Sequence, residues 1–422
     1  MTQAAQQARQ LSAARAAAVF WQYWTASTIS MTGDAVTAVA LPLTAVKVLH
    51  ASSFEVSLLT AATYAAWLLI GLPAGVIVGR LPLRGTQVAM DLIRAAALAS
   101  VPAVAWAGDL HLPQLVIVAF TISLASVIFD VGNATFLPSV VPSEQLIARN
   151  SLTSGSAAAT QLGGPALGGL LVQLLGAATS LVADVVSYLV SAVMLQGLPR
   201  PPRQRQDGPG TSMRVLIGDG WRFVTRHPVI RPCALTATLD NFLAGGLMAL
   251  TPVFLVRTVG LPAWAVGALI AAEGAGSLIG AALTPRLTGW LGSARAILAA
   301  ESAGALLGLA MPLAAAGWRL ALFAVGSAGL GAGVVVVSVT TRTHRQQVSP
   351  PDLLPRVMAT VRFISWGVIP FGALAAGAAA SALGNRAAMW LVCGLTLIGP
   401  LILLFSPVRG RRDLLDPAAP GS

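Results

Sequence analysis

Arginine sits almost wholly on one alternating set of segments between long apolar runs. Arg9 and Arg15 precede the first run, Arg80 and Arg84 separate the second from the third, and Arg149 separates the fourth from the fifth. Arg200, Arg203, Arg205, Arg214, Arg222, Arg226 and Arg231 lie between the sixth and seventh runs or at the start of the seventh, and Arg286 and Arg295 follow the eighth. Arg342, Arg345 and Arg356 follow the tenth, and Arg409, Arg411 and Arg412 the twelfth. The intervening loops hold only Lys47, Arg257, Arg319 and Arg386. Short loops rich in Lys and Arg stay in the cytoplasm. The alternation therefore predicts twelve membrane spans with both termini inside. It also accounts for the net charge of +11 without nucleic acid.

Composition agrees. Of 422 residues, 56% are hydrophobic and 10% charged, against about 25% charged in soluble domains. A span takes about 20 apolar residues, so twelve use about 250 and leave no room for a sizeable soluble domain. Cys233 and Cys393 have no metal-ligand spacing and are expected as free, buried thiols. The polar, Gln-rich start runs into an apolar stretch too long for a signal-peptide core, so an uncleaved first span is expected. The use of Arg over Lys, with abundant Ala and Gly, suggests a high-GC bacterial genome and thus a bacterial inner membrane.

Apolar runs and their breakers predict spans at 16–48, 54–78, 86–107, 113–140, 151–175 and 179–198 in the first half. In the second half they fall at 228–256, 263–283, 296–315, 320–340, 356–383 and 385–405. The expected class is an all-α membrane protein with two six-helix bundles, at 1–198 and 228–406. The Arg-, Pro- and Gly-rich segment 199–227 reads as a cytoplasmic linker, and 407–422 as a cytoplasmic tail. Six spans plus six suggest a duplicated transporter half. Trp21, Tyr23 and Trp24 are expected at the inner interface, and Trp106, Trp264, Trp318 and Trp390 near the outer one. Trp67 and Trp366 fall within spans, where they pack, face lipid or wall a substrate cavity.

The fifth span carries Gly164-Pro165-Ala166-Leu167-Gly168-Gly169. Glycines on one helix face let neighbours approach closely, and proline bends the helix. This pattern resembles the antiporter motif of the major facilitator superfamily. The segment Gly75-Val76-Ile77-Val78-Gly79-Arg80-Leu81-Pro82-Leu83-Arg84 resembles that superfamily's cytoplasmic-loop motif, with Gly79 where an acid is usual. Gly75, Arg80 and Arg84 are its gate-loop candidates. The Arg usual in the exporters' fourth span is absent. Gly33-Asp34, the stretch from Leu137 to Glu144, Arg222 to Pro228 and Gln347 to Ala359 resemble the exporters related to enterobactin-exporter and macrolide-efflux proteins. The resemblance implies a secondary transporter with a cavity between two bundles, exporting a small molecule against protons.

A carboxylate near a helix centre costs about 2.5–3.5 kcal/mol on insertion scales, so acids there face protein or water. Asp34, Asp240 and Glu273 fall near the middle of spans one, seven and eight, and Asp130 slightly inward in span four. In the superfamily the first, fourth, seventh and tenth spans line the cavity, so the resemblance makes these four the candidates for proton coupling or substrate contact. Asp91 and Arg94 share a helix face as a structural ion pair; Arg94 could instead reach Asp130 or a substrate anion. Asp184 reads as structural. Glu301 and Arg362 are placed in the inner leaflet, at a gate or in packing.

The four His form no metal set or nucleophile–base pair. No phosphate-binding Gly-x-x-x-x-Gly-Lys-Ser/Thr sequence occurs, so no ATP motor, metal, cofactor or enzymatic chemistry is expected. Expected partners are a small amphipathic substrate (a drug, siderophore or secondary metabolite), protons, and anionic lipids at the basic face, with the chain acting as a monomer. A nutrient importer of the same superfamily, or a non-transporting receptor or scaffold, remains an alternative.

Overall fold

The computed structural model describes residues 3–71, 73–74, 77–78, 81–140, 146–199, 213–350 and 353–415. Side chains are described from Ala17 onward, except in 134–148, 150–151, 154, 213–217 and 355. The first six spanning helices are Gln3–Lys47, Ser53–Ile70, Leu83–Ala107, Leu112–Val140, Leu146–Leu175 and Ala177–Gln196. The second six begin with Ile230–Val253, which runs on into the wide turn Phe254–Thr258, then Ala263–Leu291, Ser293–Gly308 and Leu320–Val348. The eleventh is Leu354–Gly367 plus Ile369–Leu383, and the twelfth Asn385–Leu395 plus Ile398–Leu404. Eleven are long and apolar enough to cross a membrane. The fifth, at 30 residues, is long enough, but Gln161, Gln173, Pro165 and its glycines hold its hydropathy down.

Local chemistry sets the ends. Ser52 opens the second helix with a capping box: the Glu55 amide donates to Ser52 Oγ at 3.2 Å, and the Ser52 amide to Glu55 Oε2 at 2.6 Å. Gly176 and Gly384, both at φ 86°, are the single residues between the fifth and sixth helices and between the eleventh and twelfth. Only glycine takes that conformation without strain. Pro312 follows the end of the ninth helix, which stops at Gly308 rather than near residue 315. Pro370 starts the second piece of the eleventh helix, and Pro400 lies in the second piece of the twelfth.

The first helix packs on the fifth and sixth, the third on the fourth and sixth, and the second on the fourth. In the other half the eighth and ninth pack on the tenth, and the seventh on the eleventh. The halves meet along two seams, fifth against eighth and second against eleventh. The two hydrogen bonds described between the bundles both lie at the arginine-poor end. Ser53 Oγ donates to Asn385 Oδ1 at 2.6 Å, and Arg257 Nη2 donates to the Ala51 carbonyl.

Three details go beyond the sequence reading. Within the linker 199–227, Met213–Arg226 is a helix against the eleventh span, tied by an ion pair of 2.9 Å between Arg356 and Asp219. In the tail, Asp413 Oδ1 accepts from the Ser293 amide at 2.7 Å, and the Ala294 amide donates to the Arg412 carbonyl at 3.0 Å, capping the ninth helix. Tyr23 is 2% exposed, and its hydroxyl bonds to Asn133.

His227 closes the gap between the linker helix and the seventh span. Its Nδ1 accepts from the Val229 and Ile230 amides, both at 3.2 Å, which requires a neutral ring. Burial, with Arg411 nearby, pushes its pKa below the ordinary value. A group whose folded pKa is depressed contributes stability above its unfolded pKa and loses it as pH falls. Acidification below about pH 6.5 is therefore expected to lower the melting temperature more in the native chain than in His227→Asn, which caps without titrating. Thermal melts of both proteins from pH 7.5 to 5.5 check this.

Candidate substrate cavity and bundle seams

Between the bundles lies a central cavity of about 640 Å³. The first helix brings Asp34, the second Tyr64 and Trp67, the seventh Asp240, the eighth Glu273 and the ninth Glu301. The described lining thus holds four carboxyl groups and no Lys, Arg or His. A second chamber of about 740 Å³ opens toward the arginine-rich end, lined by Arg342, Arg345, Arg362 and Trp366. Trp67 and Asp240 border both chambers.

In the first bundle the acids are held by one cation. Arg94 is 1% exposed and donates to Asp91, itself fully buried. The Arg94 guanidinium stands 3.7 Å from Asp34 and lies over the rings of Phe129 and Tyr188, at 4.2 and 4.4 Å from their centroids. The Tyr188 hydroxyl donates to Asp34 Oδ1 at 2.5 Å. Asp184, also fully buried, accepts from Thr37 and, at 2.7 Å, from Ser187. Asp91, Arg94 and Asp184 therefore form a polar core behind the cavity wall. Asp34 is their open edge, with 42% of its side chain exposed. Asp34 and Tyr188, both in contact with Arg94, line the central cavity, and Arg94 itself does not.

Asp130 is exposed, but it is not among the residues lining the central cavity. It lies within electrostatic reach of Asp34, Arg94 and Arg362. In the second bundle the carboxyl groups of Asp240 and Glu301 converge beside Gly399, where an added Cβ would meet Glu301 Oε1 and lie 3.5 Å from Asp240 Oδ1. Glu301 is 6% exposed. The ninth helix is Ser293–Gly308, shorter and earlier than expected, and it brings Glu301 to the central cavity. Glu273 is exposed to the cavity, with no described charge partner.

Trp67 and Trp366 meet edge to face at 5.2 Å. The Arg362 guanidinium lies 4.6 Å from each ring centroid. Trp67 borders the cavity as its sequence position allows; Trp366 borders only the second chamber. A cation between tryptophans from different spans has no local sequence signal, and nothing in the chain order pairs residues 67 and 362.

The glycine motif holds both packing partners of the fifth helix. A Cβ on Gly168 would stand 3.1 Å from the Val36 Cα of the first helix. One on Gly169 would stand 2.5 Å from the Ala263 carbonyl and 2.9 Å from the Gly267 Cα of the eighth. Gly164 faces Ala35, and the Pro165 carbonyl lies against Gly267. The fifth helix is thus bound into its own bundle on one face and forms the inter-bundle seam on another. Of the gate-loop candidates, Arg84 donates to the Leu198 carbonyl at 2.8 Å. Gly75 and Arg80 lie outside the described residues.

Residues 11–419 match the family described as transmembrane secretion effector. The chain belongs to this family of the major facilitator superfamily, whose members are transporters and not enzymes. It is 29% identical over 316 residues to the uncharacterized transporter y4rN of Sinorhizobium fredii, covering 74% of this chain and 76% of the relative. It is 27% identical over 398 residues to the uncharacterized transporter YfiS of Bacillus subtilis, covering 92% and 93%. Among solved structures, a variant of the nucleoside transporter NupG superposes with a TM-score of 0.75 at 11% identity, covering 92% and 99%. An inward-facing bacterial homologue of the iron transporter ferroportin gives 0.70 at 16%, covering 92% and 98%. These likenesses establish the fold.

Two outcomes follow from the packing. Gly169→Val is expected to force the eighth helix away, destabilising the protein by about 1–3 kcal/mol, whereas Gly163→Ala, with nothing within 4 Å of the new Cβ, is neutral; melting temperatures compare them. Arg94→Ala strands the buried Asp91 and is expected to cost about 3–5 kcal/mol. Arg94→Ala combined with Asp91→Asn recovers part of that loss in the same assay.

Proposed function

We propose that this transporter is a proton-coupled exporter of a small amphipathic molecule. It sits in a bacterial inner membrane with its arginine-rich end and both termini in the cytoplasm. The observation that carries the reading is the Asp240–Glu301 pair. Both carboxyl groups line the central cavity, Asp240 also borders the second chamber, and no described arginine is at ion-pair distance from either; two adjacent acids of this kind hold one proton between them most readily. A deprotonated pair repels itself in a poorly hydrated site. Two carboxylates facing a substrate and a proton in turn are a coupling device. The first bundle differs because Arg94 lies against Asp91 and Asp34.

The bundles 1–198 and 228–406 would rock about the two seams, with 199–227 as the tether. Closure at the arginine-poor end, through Ser53–Asn385 and Arg257–Ala51, supports an inward-open arrangement ready to load from the cytoplasm. The resemblance to enterobactin-type and macrolide exporters, together with the fifth-span motif, supports export over import. The chain works as a monomer, and its basic end contacts anionic lipids.

The driving force suffices: one charge crossing the membrane potential is worth about 2.3 kcal/mol per 100 mV. In proteoliposomes with an imposed pH gradient, substrates found by a drug and siderophore screen are expected to accumulate only with the gradient. Asp240→Asn with Glu301→Gln is expected to abolish gradient-driven accumulation while leaving counterflow exchange intact. Transport that ignores the gradient, or survives the double substitution unchanged, defeats the coupling assignment.

A further inference from the structure

We propose that the Trp67–Trp366 pair is a binding subsite for an organic cation, and that Arg362 fills it as an internal stand-in until such a cation replaces it. The proposal rests on the transporter reading and adds the charge class of its substrate.

The geometry is that of a cation site. The Arg362 guanidinium lies 4.6 Å from both indole centroids, within the roughly 6 Å over which a ring attracts a positive charge. Among the described residues no carboxylate is at ion-pair distance from it, and its side chain stays exposed. A guanidinium held by two rings alone is held weakly and can be exchanged. When displaced it has somewhere to go, since Asp130 is within electrostatic reach.

The position fits an entry step. Trp67 borders both the second chamber and the central cavity, and Trp366 borders the former. The two rings come from the second and eleventh helices, one from each bundle, so the pair exists only while the bundles hold this arrangement. Beyond Trp67 a ligand meets Asp34, Asp240, Glu273 and Glu301, with no basic side chain among the described lining. A lipophilic cation gains at the rings and gains again in the cavity. An anion gains only at Arg342, Arg345 and Arg362 in the second chamber.

Tetraphenylphosphonium and tetraphenylborate have nearly one shape and opposite charge, so together they separate electrostatics from fit. Equilibrium dialysis against the purified full chain in detergent measures both. The phosphonium is expected to bind, and Arg362→Gln to tighten it about tenfold by removing the competing cation. Trp67→Ala and Trp366→Ala are each expected to weaken it about tenfold, and Trp67→Phe by less, each with melting temperature recorded as a check on folding. The borate is expected to bind weakly and to lose affinity in Arg362→Gln.

Unchanged or weaker phosphonium binding in Arg362→Gln overturns the proposal, as does indifference to folded Trp67→Phe and Trp366→Ala variants. If both ions gain alike in Arg362→Gln, the arginine is a steric plug and the charge assignment is wrong. Preference for the borate in the native chain has the same consequence. The binding assay needs no gradient. Its failure beside intact proton-driven flux of other compounds removes only the cation subsite. Binding without any gradient-dependent flux removes only the coupling reading.

Discussion

At the seams between the bundles helices approach so closely that only glycine fits, and the rest of the architecture hangs on these contacts. Lipid tails are as apolar as leucine, so helices in a bilayer are not driven together by burial; they associate through close packing and polar contacts. Gly169 and Gly267 let the fifth and eighth helices meet nearly backbone to backbone. Gly377, on the eleventh helix, faces Ser57 and Phe54 of the second. Because the bundles join along these two lines, the space between the lines is left as a cavity. A side chain at any of these glycines would reshape that cavity without touching it.

Within the frame so made, charge is distributed unequally. The first bundle surrounds Arg94 with Asp91, Asp34 and two aromatic rings. In the second no described cation is at ion-pair distance from Asp240 or Glu301, whose carboxyl groups lie together. A buried acid must be paired, solvated or protonated. The first bundle pairs its acids with an arginine and the second sets two acids side by side, so the two halves of one fold meet the same cost in different ways. That difference is why the proposed coupling falls on the second.

Much of this was legible in the order of residues. Arginine alternation implied twelve crossings, and the eleven apolar helices plus Leu146–Leu175 follow it. Asp91 and Arg94 lie three apart on a helix, so their pairing needed only helical periodicity. The glycine motif announced close packing, though not its partners. The end of the ninth helix was not legible, because the early stop at Gly308 and Pro312 both fall within its apolar run. The linker helix was missed because its polar, basic composition masks an amphipathic period.

The sequence by itself therefore determined the number of spans, the acid inventory within them, and which spans carry glycine faces, because each depends on composition or local period along one helix. Which acid meets which partner was decided only by the tertiary structure. Asp34 with Tyr188, Asp240 with Glu301, and Arg362 between Trp67 and Trp366 join residues from different spans. Their rotation and depth are set by packing between helices, and no period along a single helix carries that information.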